Sequence, residues 1–342
     1  MLDIKSLYYP ELEAFITENG FPRFRAKQVH GWLNKGALVF DEMKNLPKNL
    51  IDFLSGSCYI SVANIEKKLV SRYDKTVKYL FRLNDGEYIE SVVMSYRHGH
   101  SICVSTQVGC KMGCTFCATG KSGFSRSLTA SEILAQIDAA QRDLQIRISN
   151  IVLMGMGEPL DNFDNVVRFL KLVSGEDGLN IGMRHITLST CGLVPKIYEL
   201  AKYKFALTLS VSLHAPDNET RSRTMPVNDV YPIESLIKAC RDYFEITGRR
   251  VSFEYAMIDG VNDSDECAEK LSRLLKGLNC HVNLIPVNSV TGSDYKKSRI
   301  ERQRAFIDIL NKHSVTATVR RTLGSDIDAS CGQLKRNYTE KI

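Results

Sequence analysis

The sequence predicts an α/β protein: a partial (β/α)6 barrel preceded by a small helical segment and a short antiparallel β extension. Three observations predict it. Apolar strand-like runs alternate with amphipathic stretches from about residue 101 onward, a β-branched and aromatic region with a hairpin turn precedes them, and the first 57 residues read as helices opened by proline and closed by glycine. With 342 residues, 44% hydrophobic and 25% charged, the chain can bury a full core. The pattern divides it into residues 1–57, 58–100 and 101–322 and a tail, 323–342, without strong periodicity.

In chain order, "YPELEAFITENG", "FPRFRAKQVHGWLNKG" and "LPKNLIDFLSG" repeat one grammar. Proline presets the first helical φ where its missing N–H is not needed, and glycine accepts the left-handed conformation past the last turn. Residues 62–107 change character: "NIEKKLVSRY", "TVKYLFRL" and "EYIESVVMSY" suit strands, with "NDG" as the turn between the last two. Six strand candidates follow: "SICVSTQ", "SNIVLMG", "RHITLST", "FALTLSVSL", "RRVSFEYAMI" and "CHVNLIPVN". Between them lie amphipathic stretches such as "TASEILAQIDAAQRDL", "NFDNVVRFLKLVS" and "DSDECAEKLSRLLKGL". Alternation at this spacing implies parallel βα units, and six strands fall short of a closed eightfold barrel.

No apolar run reaches the ~20 residues of a membrane-spanning helix. The opening has neither a basic leader nor a small-residue cleavage site, so a cytoplasmic protein with no membrane association is expected. In that compartment the ten cysteines are reduced thiols. The net charge of +6 is uneven: residues 293–342 hold eleven Lys and Arg against six Asp and Glu, whereas residues 1–57 hold seven of each. A basic end suits a polyanion such as nucleic acid, and it also suits an ordinary solvated surface.

The stretch "STQVGCKMGCTFCATGKSGF" places Cys110, Cys114 and Cys117 just past the first barrel strand, at the barrel edge where βα folds keep their chemistry. A structural zinc takes four ligands, usually as paired C-x2-C units, and this C-x3-C-x2-C run has no partner pair. A [4Fe-4S] cluster on three thiolates leaves one iron open to an exogenous ligand. Spacing alone leaves three readings: the cluster, a zinc completed from afar, or three unrelated thiols.

The blocks "CVSTQVGCKMGCTFCATGKSGF", "VLMGMGEPLDN", "ITLSTCGLVP", "VSLHAPD", "HVNLIPVN" and "GSDIDASCGQL" together resemble, in the same order, the radical S-adenosylmethionine (SAM) RNA adenine methyltransferases of the RlmN/Cfr family. The resemblance spans nearly the whole chain. It implies a radical SAM partial barrel, a [4Fe-4S] cluster held by Cys110, Cys114 and Cys117, and SAM chelating the open iron. Gly157 and Glu158 would then hold the SAM amino group, for which a carboxylate is a natural acceptor. Ser189, Ser212, Leu213, His214 and Asn288, all at C-terminal ends of strands, would line the SAM pocket. Read singly, these are equally well polar strand ends, and Glu158 a turn residue.

By the same resemblance, Cys331 is the cysteine that takes a methyl group from one SAM. A second SAM, cleaved by one electron, yields a radical that activates that methyl for addition to adenine. Glu90 matches the proton acceptor, and Cys103 the cysteine that releases the product through a transient disulfide. Without the resemblance, Cys331 and Cys103 read as small buried hydrophobes and Glu90 as the exposed position of an alternating strand. Cys58, Cys191, Cys240, Cys267 and Cys280 match no catalytic position and read as packing.

The implied substrates are an adenosine of 23S rRNA in the peptidyl-transferase centre and a tRNA adenosine beside the anticodon. The blocks around Pro159 and Pro286 resemble the branch that methylates carbon 2 rather than the Cfr branch that methylates carbon 8; Ser289, where the family often has proline, is a departure. The implied partners are those RNAs and a one-electron donor such as a flavodoxin, and the protein is expected to be a monomer. The helical segment resembles the family's RNA-binding accessory module, and its zero net charge points to recognition of RNA shape and splayed bases. Two other classes fit parts of the pattern: a non-enzymatic zinc-dependent RNA-binding protein, and a radical SAM methylthiotransferase or activating enzyme that needs neither Cys331 nor Cys103.

Overall fold

The computed structural model describes residues 1–121, 123–287 and 295–327, so Asn288, Ser289 and Cys331 lie outside the described residues. The N-terminal segment folds around an apolar cluster of its own. Helices α1 (Tyr9–Glu18), α2 (Phe24–Asn34) and α3 (Lys48–Ser57) bury Leu12, Ile16, Val29, Leu33, Leu50 and Leu54 against one another. The prolines sit where a helix start tolerates them. Pro10 is in the first turn of α1, Pro47 immediately precedes α3, and Pro22 lies two residues ahead of α2.

Among the described residues, ten strands form one continuous sheet. Strands β1 (Asn64–Val70), β2 (Val77–Arg82) and β3 (Tyr88–Tyr96) make an antiparallel meander. The predicted turn joins β2 to β3: Gly86 takes φ 89° and the Leu83 N–H donates to the Glu87 carbonyl at 2.8 Å. Strand β4 (Gly99–Cys103) pairs antiparallel with β3 on one side and opens the parallel array on the other. A separate hairpin, β5 (Gln107–Gly109) with β6 (Phe124–Ser127), then brackets the three-cysteine loop.

The array continues through β7 (Ile148–Leu153), β8 (Ile186–Thr190), β9 (Thr208–Ser212), β10 (Val251–Met257) and β11 (Cys280–Pro286), each parallel to its neighbour. These and β4 are the six expected barrel strands. A seventh parallel strand, β12 (Ala317–Val319), extends the edge beside β11. Three residues are too few to carry a period of two, so the sequence pattern missed it. Helices α4 (Ala130–Leu144), α5 (Phe163–Ser174), α6 (Val194–Lys202), α7 (Asn218–Thr224), α8 (Ile233–Thr247), α9 (Asp265–Leu274) and α10 (Ile300–Lys312) alternate with the strands. α4 starts where "TASE" predicts: the Thr129 hydroxyl accepts from the Glu132 N–H while the Glu132 carboxylate accepts from the Thr129 N–H.

The N-terminal helices dock on the barrel's outer layer. Arg168 of α5 meets Glu11 at 2.6 Å, Lys5 pairs with Asp138 of α4, and the Ser6 hydroxyl accepts from the Ser131 N–H at 3.1 Å.

Glu90 departs from the exposed position that strand periodicity predicts. Glu90 is 2% exposed rather than on a solvated face, and Lys78, fully buried on β2, meets its carboxylate at 2.9 Å. Both faces of this part of the meander are covered: the Ser91 hydroxyl donates to Gln136 of α4 at 2.7 Å, so the residues alternating with Ser91 face the barrel side. Replacing Lys78 with Met removes the cation facing a buried carboxylate, which costs about 3–5 kcal/mol. Denaturant titration should show a correspondingly lower midpoint for Lys78→Met, and the double variant Lys78→Met/Glu90→Gln should recover a substantial part of the loss.

Candidate active site

The three-cysteine loop is shaped by backbone constraints. Gly109 takes φ 82°, and a Cβ on it would lie 2.0 Å from the Gly123 carbonyl, so the hairpin closes only on glycine. The Cys110 N–H donates to that same carbonyl at 2.8 Å, and the Thr115 N–H reaches across to Thr224 at 3.0 Å. Phe116 sets its ring edge against His214, 4.8 Å between centroids at 79°.

Opposite this loop, "GMGEP" packs against the turn that follows β4. The Gly155 N–H donates to Val104 O at 3.0 Å, and a Cβ on Gly155 would lie 2.5 Å from that oxygen. Gly157, at φ 105°, leaves room for the Gln107 side chain, whose Oε1 accepts from the Glu158 N–H at 2.9 Å. The Glu158 carboxylate is buried and already at work within the fold. One oxygen accepts from the Leu160 N–H at 3.0 Å and the other from the Cys191 N–H at 2.7 Å. Burial raises its affinity for a proton and the two N–H donors oppose that. The Thr190 and Cys191 side chains also hydrogen-bond this carboxylate, so an ammonium would share it with four protein donors.

These elements enclose a cavity of about 570 Å³. Cys110, Cys114 and Cys117 line it together with Gly157 and Glu158. So do Ser189 and Ser212, at the C-terminal ends of β8 and β9, and His214 just beyond β9. Cys103 and Glu90 open onto the same space. Their adjacency follows from register: Val92 is the partner of Cys103 across β3 and β4, and Glu90 is two residues from Val92 on the same face. Leu213 is the exception among the described candidates, its side chain lying in the main apolar core rather than in the cavity wall.

Electrostatics separates these groups. Burial pushes the Cys110 thiol up to about 12 and the Cys114 thiol higher still, with the neighbouring sulfurs and Glu158 adding to both shifts. Thiols so placed ionise when a bound cation compensates their charge, so the donor set suits an iron–sulfur cluster. Among the described residues, no group of three or more His, Cys, Asp and Glu is set for a single metal ion. Burial pushes Cys103 up to about 11, with Arg320 opposing. His214 is lowered to about 3 by burial and by Arg221, so its imidazole is neutral, and Nδ1 accepts from the Ala256 N–H at 2.9 Å.

Two residues at the site escaped the sequence reading. Glu254 lines the cavity from β10, its carboxylate accepting from the Ser210 hydroxyl at 2.7 Å and the Asn283 amide at 2.8 Å. A charge inside the otherwise apolar run "VSFEYAM" was the available signal. Arg221 is fully buried and donates to the carbonyls of Cys191, Leu213 and Ser212. It stands in "DNETRSRT", which reads as a solvated helix, so nothing local marked it.

Residues 104–271 match the radical SAM superfamily, and residues 2–60 match the ribosomal RNA large subunit methyltransferase N-terminal domain. A probable dual-specificity RNA methyltransferase RlmN of Clostridium novyi is 52% identical over 339 residues, covering 99% of each chain. Its counterpart in Alkaliphilus oremlandii is 54% identical over the same length and coverage. The crystal structure of a radical SAM methyltransferase from Sphaerobacter thermophilus aligns with a TM-score of 0.93 at 45% identity, over 97% of this chain and 99% of that one. Full-length matches to named enzymes displace the reading as a zinc-dependent RNA-binding module, and the radical SAM match carries with it a [4Fe-4S] cluster and SAM. The chain therefore belongs to the RlmN family of radical SAM RNA methyltransferases.

Proposed function

We propose that this enzyme methylates carbon 2 of adenosine in 23S rRNA and tRNA through an S-methylcysteine on Cys331. One observation carries the proposal: a single cavity brings Cys110, Cys114 and Cys117 together with Cys103 and Glu90. Carbon 2 of adenine lies between two ring nitrogens and is electron-poor, so direct displacement by a methyl cation equivalent is closed there. When bound, the cluster and SAM supply the one-electron chemistry that opens it, with Cys110, Cys114 and Cys117 as cluster ligands. Gly157, Glu158, Ser189, Ser212 and His214 orient SAM in the same space, and by the resemblance Leu213 and Asn288 belong to this set.

The roles of the remaining residues follow from their chemistry. Cys331, as thiolate, takes the methyl from one SAM, forming an S–C bond as the sulfonium C–S bond breaks. Once that carbon is bonded to adenine, Glu90 accepts the ring proton while a one-electron acceptor takes the unpaired electron left on the ring, and Lys78 fixes the Glu90 carboxylate in place. Cys103 then attacks the Cys331 sulfur. A disulfide forms, the S–CH2 bond breaks, and its electron pair goes to the carbon, which takes a proton to become the methyl group. A thiol reductant restores both cysteines. The helical segment of residues 1–57 serves as the RNA-binding accessory domain; its match to an N-terminal domain of ribosomal RNA methyltransferases supports this.

Four outcomes are expected. Cys110→Ala, Cys114→Ala and Cys117→Ala should each lose the iron bound after anaerobic reconstitution and with it reductive SAM cleavage; wild-type iron in any one of them counts against the ligand assignment. Nucleoside mass spectrometry of modified RNA should report 2-methyladenosine, and 8-methyladenosine as the main product would move the enzyme to the other branch.

Cys103→Ala should load the methyl on Cys331 and attack RNA, yet stall with RNA covalently attached, visible on a denaturing gel with labelled RNA. A structural Cys103 behaves differently: its loss lowers stability by about 1–2 kcal/mol and leaves release intact. In the wild type the nucleophile is the thiolate of a group near 11. Its ionised fraction rises about tenfold per pH unit below that value, so release should quicken between pH 7 and 9.

A further inference from the structure

The ten-stranded sheet begins at β1 and ends at β12, and the chain just beyond its last strand crosses to the turn just after its first. The crossing is made by two carboxylates working in opposite directions. Asp326 accepts from the Ser71 hydroxyl at 2.7 Å and from the Arg72 N–H at 2.9 Å. Asp74 accepts from the Gly324 N–H at 2.8 Å and holds its own turn through the Thr76 N–H at 3.0 Å. The N–H of Arg72 and the hydroxyl of Ser71 hold Asp326 below the usual carboxylate range, as expected of an anion engaged by donors. The residues flanking this clasp face the site: Thr76 on one side, and Arg320, Arg321, Thr322 and Leu323 on the other, line the cavity that holds the three-cysteine loop.

Cys331 follows Asp326 by five residues, a length that spans at most about 18 Å of chain. Without the clasp the nearest backbone anchor is Arg320, whose N–H donates to Leu284 O at 2.8 Å, eleven residues from Cys331. We propose that the Asp74–Asp326 clasp is a positioning device for methyl transfer, fixing the point at which the C-terminal tail leaves the barrel so that Cys331 reaches the cavity at high effective concentration. The inference rests on the proposed role of Cys331. Effective concentration falls roughly as the −3/2 power of tether length, so lengthening the tether from five residues to eleven lowers it about threefold. Asp74, Ser71 and Asp326 touch neither cluster nor SAM on this reading. They act through the tail alone.

The test uses the full-length enzyme with its cluster reconstituted. SAM carrying a labelled methyl is added in a single turnover, and mass spectrometry of the Cys331 peptide reads the loading rate. Asp74→Ala/Asp326→Ala, which removes both halves of the clasp, should load about threefold more slowly, Asp326→Ala alone, which leaves Gly324 held by Asp74 seven residues from Cys331, should fall between it and wild type, and SAM affinity and the cluster's absorption spectrum should match wild type. Asp326→Ala serves as the milder variant should the double variant fail to fold. Loading at the wild-type rate in the folded double variant, or in folded Asp326→Ala should the double variant not fold, with only thermal stability reduced, overturns the clasp as a positioning device. A wild-type enzyme that never carries the label on Cys331 overturns the proposed function itself, and the clasp's role with it.

Discussion

The site depends on a cation that makes no ion pair with a carboxylate among the described residues. Arg221 is fully buried, and its guanidinium spends its donors on backbone: the carbonyls of Cys191 at 2.6 Å, Leu213 at 3.1 Å and Ser212 at 3.2 Å, with the Asn228 side chain at 3.1 Å. Those carbonyls belong to the segments leaving β8 and β9, so one planar group sets the spacing of two loops of the cavity. A rigid fork of five donors can do this, whereas the compact ammonium of lysine cannot reach as many acceptors at fixed angles. Desolvation lowers the pKa of Arg221, and the nearby Cys191 and Cys114 sulfurs act in the opposite direction. The same charge that orders the loops therefore favours the ionised form of Cys114.

Glu158 plays the complementary part from the other side. Its two oxygens collect N–H groups from the start of the following 3-10 turn and from the loop after β8, so the carboxylate that the family resemblance assigned to a ligand is first a staple between two barrel strands. Arg221 and Glu158 meet at Cys191, which gives its carbonyl to one and its N–H to the other. Cys191, read from sequence as incidental, is the junction at which the two buried charges are connected through backbone.

Local grammar reached most of the architecture. Proline and glycine framed the three N-terminal helices, Asn-Asp-Gly marked the β2–β3 turn, and alternation gave the six barrel strands because each is long enough to show its period. What it missed was set by distant contacts. β12 exists through its pairing with β11, Glu90 is buried because α4 covers the meander, and Arg221 is engaged by carbonyls of residues 8 to 30 positions away. The three-cysteine loop was visible as spacing, but the β5–β6 hairpin that closes it depends on Gly109 fitting beneath Gly123. Motif resemblance pointed to Cys103 and Glu90; strand register explains why they are neighbours.

Joining an antiparallel meander to the barrel moves the sheet's free edge from β4 to β1, and a free edge is an invitation to foreign strands. β1 is poorly suited to accept one. Its sequence "NIEKKLV" presents Glu66, Lys67 and Lys68, mostly exposed, and a register shift between Ile65 and Lys67 breaks the regular ladder of hydrogen bonds. At the other end β12 offers only three residues. A sheet of ten strands is thus guarded against edge-to-edge aggregation by charge and irregularity at one margin and by brevity at the other, which lets a barrel stay open without becoming a template for its own polymerisation.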